Sequence, residues 1–93
     1  MARTPALTVR FLGRSRRHPG IAVLLRARGA SLENLEVELR RRGRVLARAW
    51  AGHVGGRPVH VELRARRRLA DGVYTVVVRR DGHALVRRTV HLR

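Results

Sequence analysis

The chain has 93 residues, 44% of them hydrophobic and 30% charged, which fits one domain around one core and excludes both a pair of independent cores and a disordered tail. It has no cysteine, so a disulfide framework, a thiolate metal site and a cysteine nucleophile are excluded, and no apolar run approaches the ~20 residues of a membrane helix. Twenty-two basic residues against six acidic ones give a net charge of +16 with histidines neutral, and every basic residue is arginine.

All-arginine usage with abundant Ala, Gly, Val and Leu points to a GC-rich bacterial genome. Codon bias exchanges lysine for arginine, but it does not create so large an excess of cations. Such a charge attracts polyanions at long range: nucleic acid, anionic polysaccharide, lipid headgroups or an acidic protein. Residues 1–5 have no apolar segment of the signal-peptide kind and read as a disordered tail before a single domain over 6–93. Localisation stays open: extracellular or at the cell surface if the chain is cut from a larger exported protein, cytoplasmic if Met1 is the native start.

In chain order, the dominant period is two. Leu7, Val9 and Phe11 alternate with Thr8, Arg10 and Leu12 in a first strand. After a basic loop over 13–20, Ile21, Val23, Leu25 and Ala27 alternate with Ala22, Leu24, Arg26 and Arg28 in a second. Leu35, Val37 and Leu39 alternate with Glu36, Glu38 and Arg40 in a third. Alternation of this kind marks strands with one face on a core and one in water. A helix opening at Ser31-Leu32-Glu33-Asn34 would align Leu32, Leu35, Leu39 and Leu46, but Val37 breaks that stripe and Gly43 cuts it short. Gly43 suits a tight hairpin into a short fourth edge strand over 44–50. A flexible glycine-rich loop over 52–58 precedes Val59, Val61, Leu63 and Ala65 of a fifth strand. The β-branched run 73–79 reads as a central sixth strand. Asp81-Gly82 is the strongest hairpin signal in the chain and leads into a seventh strand over 83–92. Seven strands at this spacing predict an all-β sandwich of two antiparallel sheets. The expected core is Leu7, Val9, Phe11, Ile21, Val23, Leu25, Leu35, Val37, Leu39, Val59, Val61, Leu63, Leu69, Tyr74, Val76, Val78, Val86 and Val90.

The run Leu69-Ala70-Asp71-Gly72-Val73-Tyr74-Thr75-Val76 resembles the Leu-x-x-Gly-x-Tyr-x-Val pattern of bacterial immunoglobulin-like and fibronectin type III-like domains. The resemblance implies a seven-stranded immunoglobulin-like β-sandwich in which Tyr74 forms a tyrosine corner, its hydroxyl bonding upstream backbone. It further implies that Gly72 makes the turn, that Leu69 plugs the core and that Asp81 and Gly82 join the last two strands. Transthyretin-like modules share a similar Gly-x-Tyr element. The chain departs from antibody domains in having no Cys pair and no Trp in the second or third strand; its one Trp is Trp50.

Chemistry is sought and not found. Ser15 and Ser31 lie in no nucleophile elbow, the six carboxylates show no acid–base pair, and the five histidines have no metal-ligand spacing. The run Gly52-His53-Val54-Gly55-Gly56 lacks the lysine and following helix of a phosphate loop. The expectation is no enzyme, no cofactor, no metal and no small-molecule substrate. In a sandwich whose first, second and fifth strands share a sheet, Arg10, Arg26, Arg28, Arg64 and Arg66 form a basic outer face, joined by Arg14, Arg16 and Arg17 at one end. Arginine forks suit phosphate, sulfate and carboxylate. Val73, Val77 and Leu85 form an outward apolar strip on the other sheet, a candidate protein contact. Phe11 and Tyr74 are assigned to the core, which leaves no stacking platform for bases. The expected function is a binding or structural module, part of a larger surface protein or assembly, whose basic face docks acidic partners or neighbouring domains. The alternative is a small stand-alone basic protein that binds nucleic acid or another polyanion without sequence preference.

Overall fold

The computed structural model describes residues 6–93; the expected tail over 1–5 lies outside the described residues. Seven strands follow in order: β1 (Ala6–Arg14), β2 (Gly20–Arg28), β3 (Leu32–Arg41), β4 (Arg44–Val54), β5 (Val59–Arg64), β6 (Gly72–Arg80) and β7 (His83–Leu92). They make two antiparallel sheets, one ordered β1-β2-β5 and the other β4-β3-β6-β7. No helix among the described residues is long and apolar enough to cross a membrane.

The two sheets face one another across a single core. Ile21, Val23, Leu25, Leu35, Val37, Leu39, Leu63, Val76 and Val78 are all fully buried, and their period-two spacing is what turns each strand's apolar side inward. Leu7, Phe11, Val59 and Val86 pack against this core only in part. Alanines 27, 47, 51 and 65 complete the interior together with Leu32, Val54 and Leu92. A bridge between Ala47 and Ala65 ties the β4 edge of one sheet to the end of β5 in the other.

The helical alternative over 31–46 is absent. Leu32 and Val54 pair across β3 and β4 and both are buried. Burial of Ala51 and Val54 extends β4 four residues past the short edge strand expected there, so the glycine-rich loop shrinks to 55–58. Both expected hairpins have two-residue turns with positive φ at each central position. Arg42 and Gly43 have φ of 52° and 77°, and Asp81 and Gly82 have 50° and 79°. This is the type I′ geometry whose twist matches the flanking strands.

Tyr74 is 2% exposed, and its hydroxyl donates to the Ala70 carbonyl at 2.7 Å. That bond to backbone four residues upstream, over buried Leu69 and with Gly72 opening β6, holds the crossover from β5 to β6 against the core. Gly20, at the start of β2, has φ of 139°, and a Cβ there would fall 1.9 Å from the Leu63 carbonyl oxygen. Only glycine lets the β2 and β5 backbones approach so closely.

Candidate anion-binding site

Successive strands run in opposite directions, so alternate connections share an end of the elongated molecule, which measures 43 × 25 × 18 Å. The β1–β2, β3–β4 and β5–β6 connections meet at one end. Residues 14–20, 41–44 and 64–72, which make these connections and the strand ends beside them, contain Arg14, Arg16, Arg17, Arg41, Arg42, Arg44, Arg64, Arg66, Arg67 and Arg68 against one carboxylate, Asp71. The opposite end has Arg28, Arg57 and Arg80 over 28–32, 54–59 and 80–83, with Asp81.

Between the β3–β4 hairpin and the β5–β6 crossover lies a cleft of about 500 Å³. Val45, Leu46, Ala65, Leu69 and Ala70 give it apolar walls, and Arg41, Arg66, Arg67 and Arg68 surround it. It continues over Leu46 to Arg42 and Arg44, and past Val45 toward Arg48 and Arg64. No carboxylate lines any part of this surface. Among the described residues, none of Arg41, Arg42, Arg44, Arg66, Arg67 or Arg68 lies within 4.0 Å of a carboxylate. Arg41 is the fixed member: its Nη1 donates to the Tyr74 hydroxyl at 3.1 Å and its guanidinium carbon sits 4.9 Å from the ring centroid.

Five arginines were expected on the outer face of the three-stranded sheet and three more in a cluster at one end. Arg10 and Arg26 stay exposed along the outer side of the three-stranded sheet, while Arg28 lies at the far end. Arg16, Arg17, Arg64 and Arg66 are exposed at the basic end. Arg14 is not a free cation. It bonds the Arg93 carbonyl at 3.0 Å, the Leu69 carbonyl at 2.6 Å and Asp71 at 2.7 Å, tying β1 to the crossover and the chain end. Arg41, Arg42, Arg44, Arg67 and Arg68 were not foreseen, although the runs Arg40-Arg41-Arg42-Gly43-Arg44 and Arg66-Arg67-Arg68 flank connections that any antiparallel sandwich brings together.

The expected apolar strip is broken at its centre. Val73 is 50% exposed and Leu85 36%, but Val77 is only 2% exposed. Val77 does sit on the outer side of the four-stranded sheet, opposite Glu38 on β3 and Arg87 on β7. Long charged side chains beside an outward valine can lay their stems over it while their heads stay in water. Among the described residues the most exposed large apolar side chain is instead Trp50, on edge strand β4, at 68%.

Two carboxylates carry distinct environments. Glu38 is 2% exposed on the outer side of its sheet, held by Arg40 at 2.7 and 3.1 Å, Arg48 at 3.4 Å and Arg79 at 3.7 Å. Burial pushes its carboxyl up, but the hydrogen bond and charge of Arg40, with Glu36 and Arg79, outweigh burial and hold it below the usual value. Glu62 accepts from the Ser15 hydroxyl at 2.8 Å, contacts His18 Nε2 and lies 3.4 Å from His60. The Ser15 hydrogen bond, with His18 and His60, holds the Glu62 carboxyl below its usual range.

Ser15, His18 and Glu62 therefore meet, but not as a hydrolytic triad. Nucleophile and carboxylate there occupy opposite ring nitrogens, whereas here Ser15 and Glu62 both reach Nε2 and the Pro19 carbonyl faces Nδ1 at 3.0 Å. The cluster latches the β1–β2 connection onto β5. Among the described residues, no three His, Asp or Glu side chains gather as metal ligands would. Compared with known proteins, the chain matches no protein-family model, no curated protein and no solved structure.

Proposed function

We propose that the chain is an immunoglobulin-like β-sandwich that serves as a non-catalytic binding module and docks a polyanionic partner through its arginine-rich end. The fold part of this reading is supported by the strand order β1-β2-β5 and β4-β3-β6-β7, which corresponds to the two sheets of a fibronectin type III-like domain, and by the Tyr74 hydroxyl on the Ala70 carbonyl. The functional part is carried by one observation: ten arginines share the three connections at one end with Asp71, and only Glu62 of β5 reaches them besides, held by Ser15 and His18. Asp71 is already engaged by Arg14. Guanidinium groups left without partners at such density repel one another, and a polyanion relieves that repulsion while releasing its own counterions.

The end offers no exposed aromatic ring, since Tyr74 is buried and Trp50 lies on the outer side of the four-stranded sheet. Contact is therefore with the partner's anionic groups and is indifferent to base sequence. A DNA duplex titrated across salt tests this. Replacing Arg42, Arg44, Arg67 and Arg68 with Ala lowers the slope of log K against log salt by up to ~0.9 for each phosphate no longer neutralised. Replacing Arg26, Arg28, Arg57 and Arg80 removes the same charge and leaves most of the slope. Equal losses from the two variants would show that net charge alone binds, and the docking end would be abandoned.

A further inference from the structure

We infer that the cleft beneath the arginine-rich end is a discrete phosphate-binding site organised by Arg41, which deepens the docking reading above and rests on it. Four arginines among the described residues are half-buried: Arg14, Arg40, Arg41 and Arg79. Arg14 is paired with Asp71, and Arg40 and Arg79 with Glu38. Arg41 alone faces no carboxylate, yet it is the one held over an aromatic ring. A half-buried cation normally has an anion beside it. Here the structure provides a cleft in the place of that anion.

The geometry around Arg41 is that of a prepared site. The Tyr74 hydroxyl is fixed by its bond to Ala70, and from that position it accepts from Arg41 Nη1. The guanidinium carbon lies over the ring, and Nη2 occupies the space beside Gly72 that a side chain would take, since a Cβ there would stand 2.9 Å from it. Ordering a long side chain costs conformational freedom on binding, and for Arg41 that ordering is already done. One of its five N–H donors is used on Tyr74, and Arg41 makes no other side-chain hydrogen bond among the described residues. Val45, Leu46, Ala65, Leu69 and Ala70 give the cleft an apolar lining beside the guanidinium groups.

The chemistry selects phosphate over carboxylate. A carboxylate presents only two oxygens, both in one plane, to the donors around it. A phosphate group presents oxygens tetrahedrally and accepts from several forks in different planes. Arg66, Arg67 and Arg68 on the crossover supply those further forks around the same cleft. At about 500 Å³ the cleft has room for two linked phosphate groups. The phosphate source is either a small phosphate compound or a polynucleotide backbone, and the same experiment separates them.

Inorganic pyrophosphate titrated into the full chain at physiological salt, followed by calorimetry and by the arginine Nε–Hε resonances, tests the site. The expected result is saturable binding of one pyrophosphate, with the Arg41 signal shifting in step with occupancy. Arg41→Lys keeps the charge but loses the fork and should weaken binding at least ~10-fold. Tyr74→Phe keeps Arg41 but releases it and should weaken binding about threefold to tenfold. Arg26→Ala, on the other sheet, should leave binding unchanged. The wild-type Arg41 resonance keeps the test decisive even if a variant folds poorly. Non-saturating binding, or an Arg41 signal that moves no more than that of Arg26, would overturn the site. A DNA duplex that displaces pyrophosphate marks the backbone as source; a duplex that leaves it bound marks a small phosphate compound. The two proposals fail separately: diffuse pyrophosphate binding with duplex affinity still following the end's arginines removes the site alone, and the converse removes the docking reading alone.

Discussion

Removing one oxygen atom tests the corner that holds the crossover in place. In Tyr74→Phe the ring stays buried and its volume barely changes, so no cavity is created. What disappears is a donor to the Ala70 carbonyl at 2.7 Å and an acceptor for Arg41 at 3.1 Å. The first loss leaves a part-buried carbonyl without its donor and costs ~1 kcal/mol, the net worth of a hydrogen bond in this setting. The second adds only a few tenths, because the half-exposed guanidinium regains water. The expected total is about 1–1.5 kcal/mol, and each kcal/mol lowers the melting midpoint by ~4–8 °C in a domain of this size. Urea melts of the two proteins should show parallel transitions, because the surface exposed on unfolding is the same. A variant within ~0.3 kcal/mol of the parent, below the spread expected for one hydrogen bond, would mean that the corner bears no strain from the crossover.

Two further changes follow from the same structure. Gly20→Ala should cost at least ~3 kcal/mol in a urea melt, since its Cβ would meet backbone oxygen of β5 and its φ is one that L-residues avoid. Gly52→Ala, with open space around it, should stay within ~0.5 kcal/mol; equal effects at the two positions would remove the close approach of β2 and β5 as the cause. Acid should destabilise the fold through Glu38 and Glu62. Both carboxyls are held below their usual value of 4.5, so their contribution is complete above that pH and is lost as pH falls through the lower folded values. Glu38→Gln removes one of the two groups, and its melting midpoint should fall less steeply below pH 4.5 than the parent's; parallel curves would assign the acid sensitivity elsewhere.

The strands were legible because their apolar positions alternate and because Arg42-Gly43 and Asp81-Gly82 carry turn chemistry that admits one geometry. The bond of Tyr74 to upstream backbone was implied by the resemblance of the run from Leu69 through Gly72 to a known domain pattern. The length of β4 was not, because its inward positions at 47 and 51 are alanines, too small to mark a strand against a background of Gly and Arg. The burial of Val77 was not legible either. An outward valine on a central strand is covered only when long neighbours lie across it, and that depends on the register of β3 and β7. Arg14 and Arg41 show the same limit: both stand in runs of similar arginines, and only the fold separates the one that staples the chain end from the one left facing a cleft.

The placement of charge also bears on its origin. Mutational pressure toward arginine acts on every codon without regard to which end of a sandwich it will occupy. It would spread arginine over all six connections alike. In this chain the runs fall on the first, third and fifth connections, which antiparallel strand order gathers at one end, and largely spare the second, fourth and sixth. Nor do Asp71 and Glu62 offset the asymmetry, since ten arginines stand at that end against three at the other. Concentrating like charges raises the electrostatic energy of the folded state, so an arrangement indifferent to function would drift toward dispersal. Crowding them at one end is the arrangement expected of the anionic docking surface proposed above.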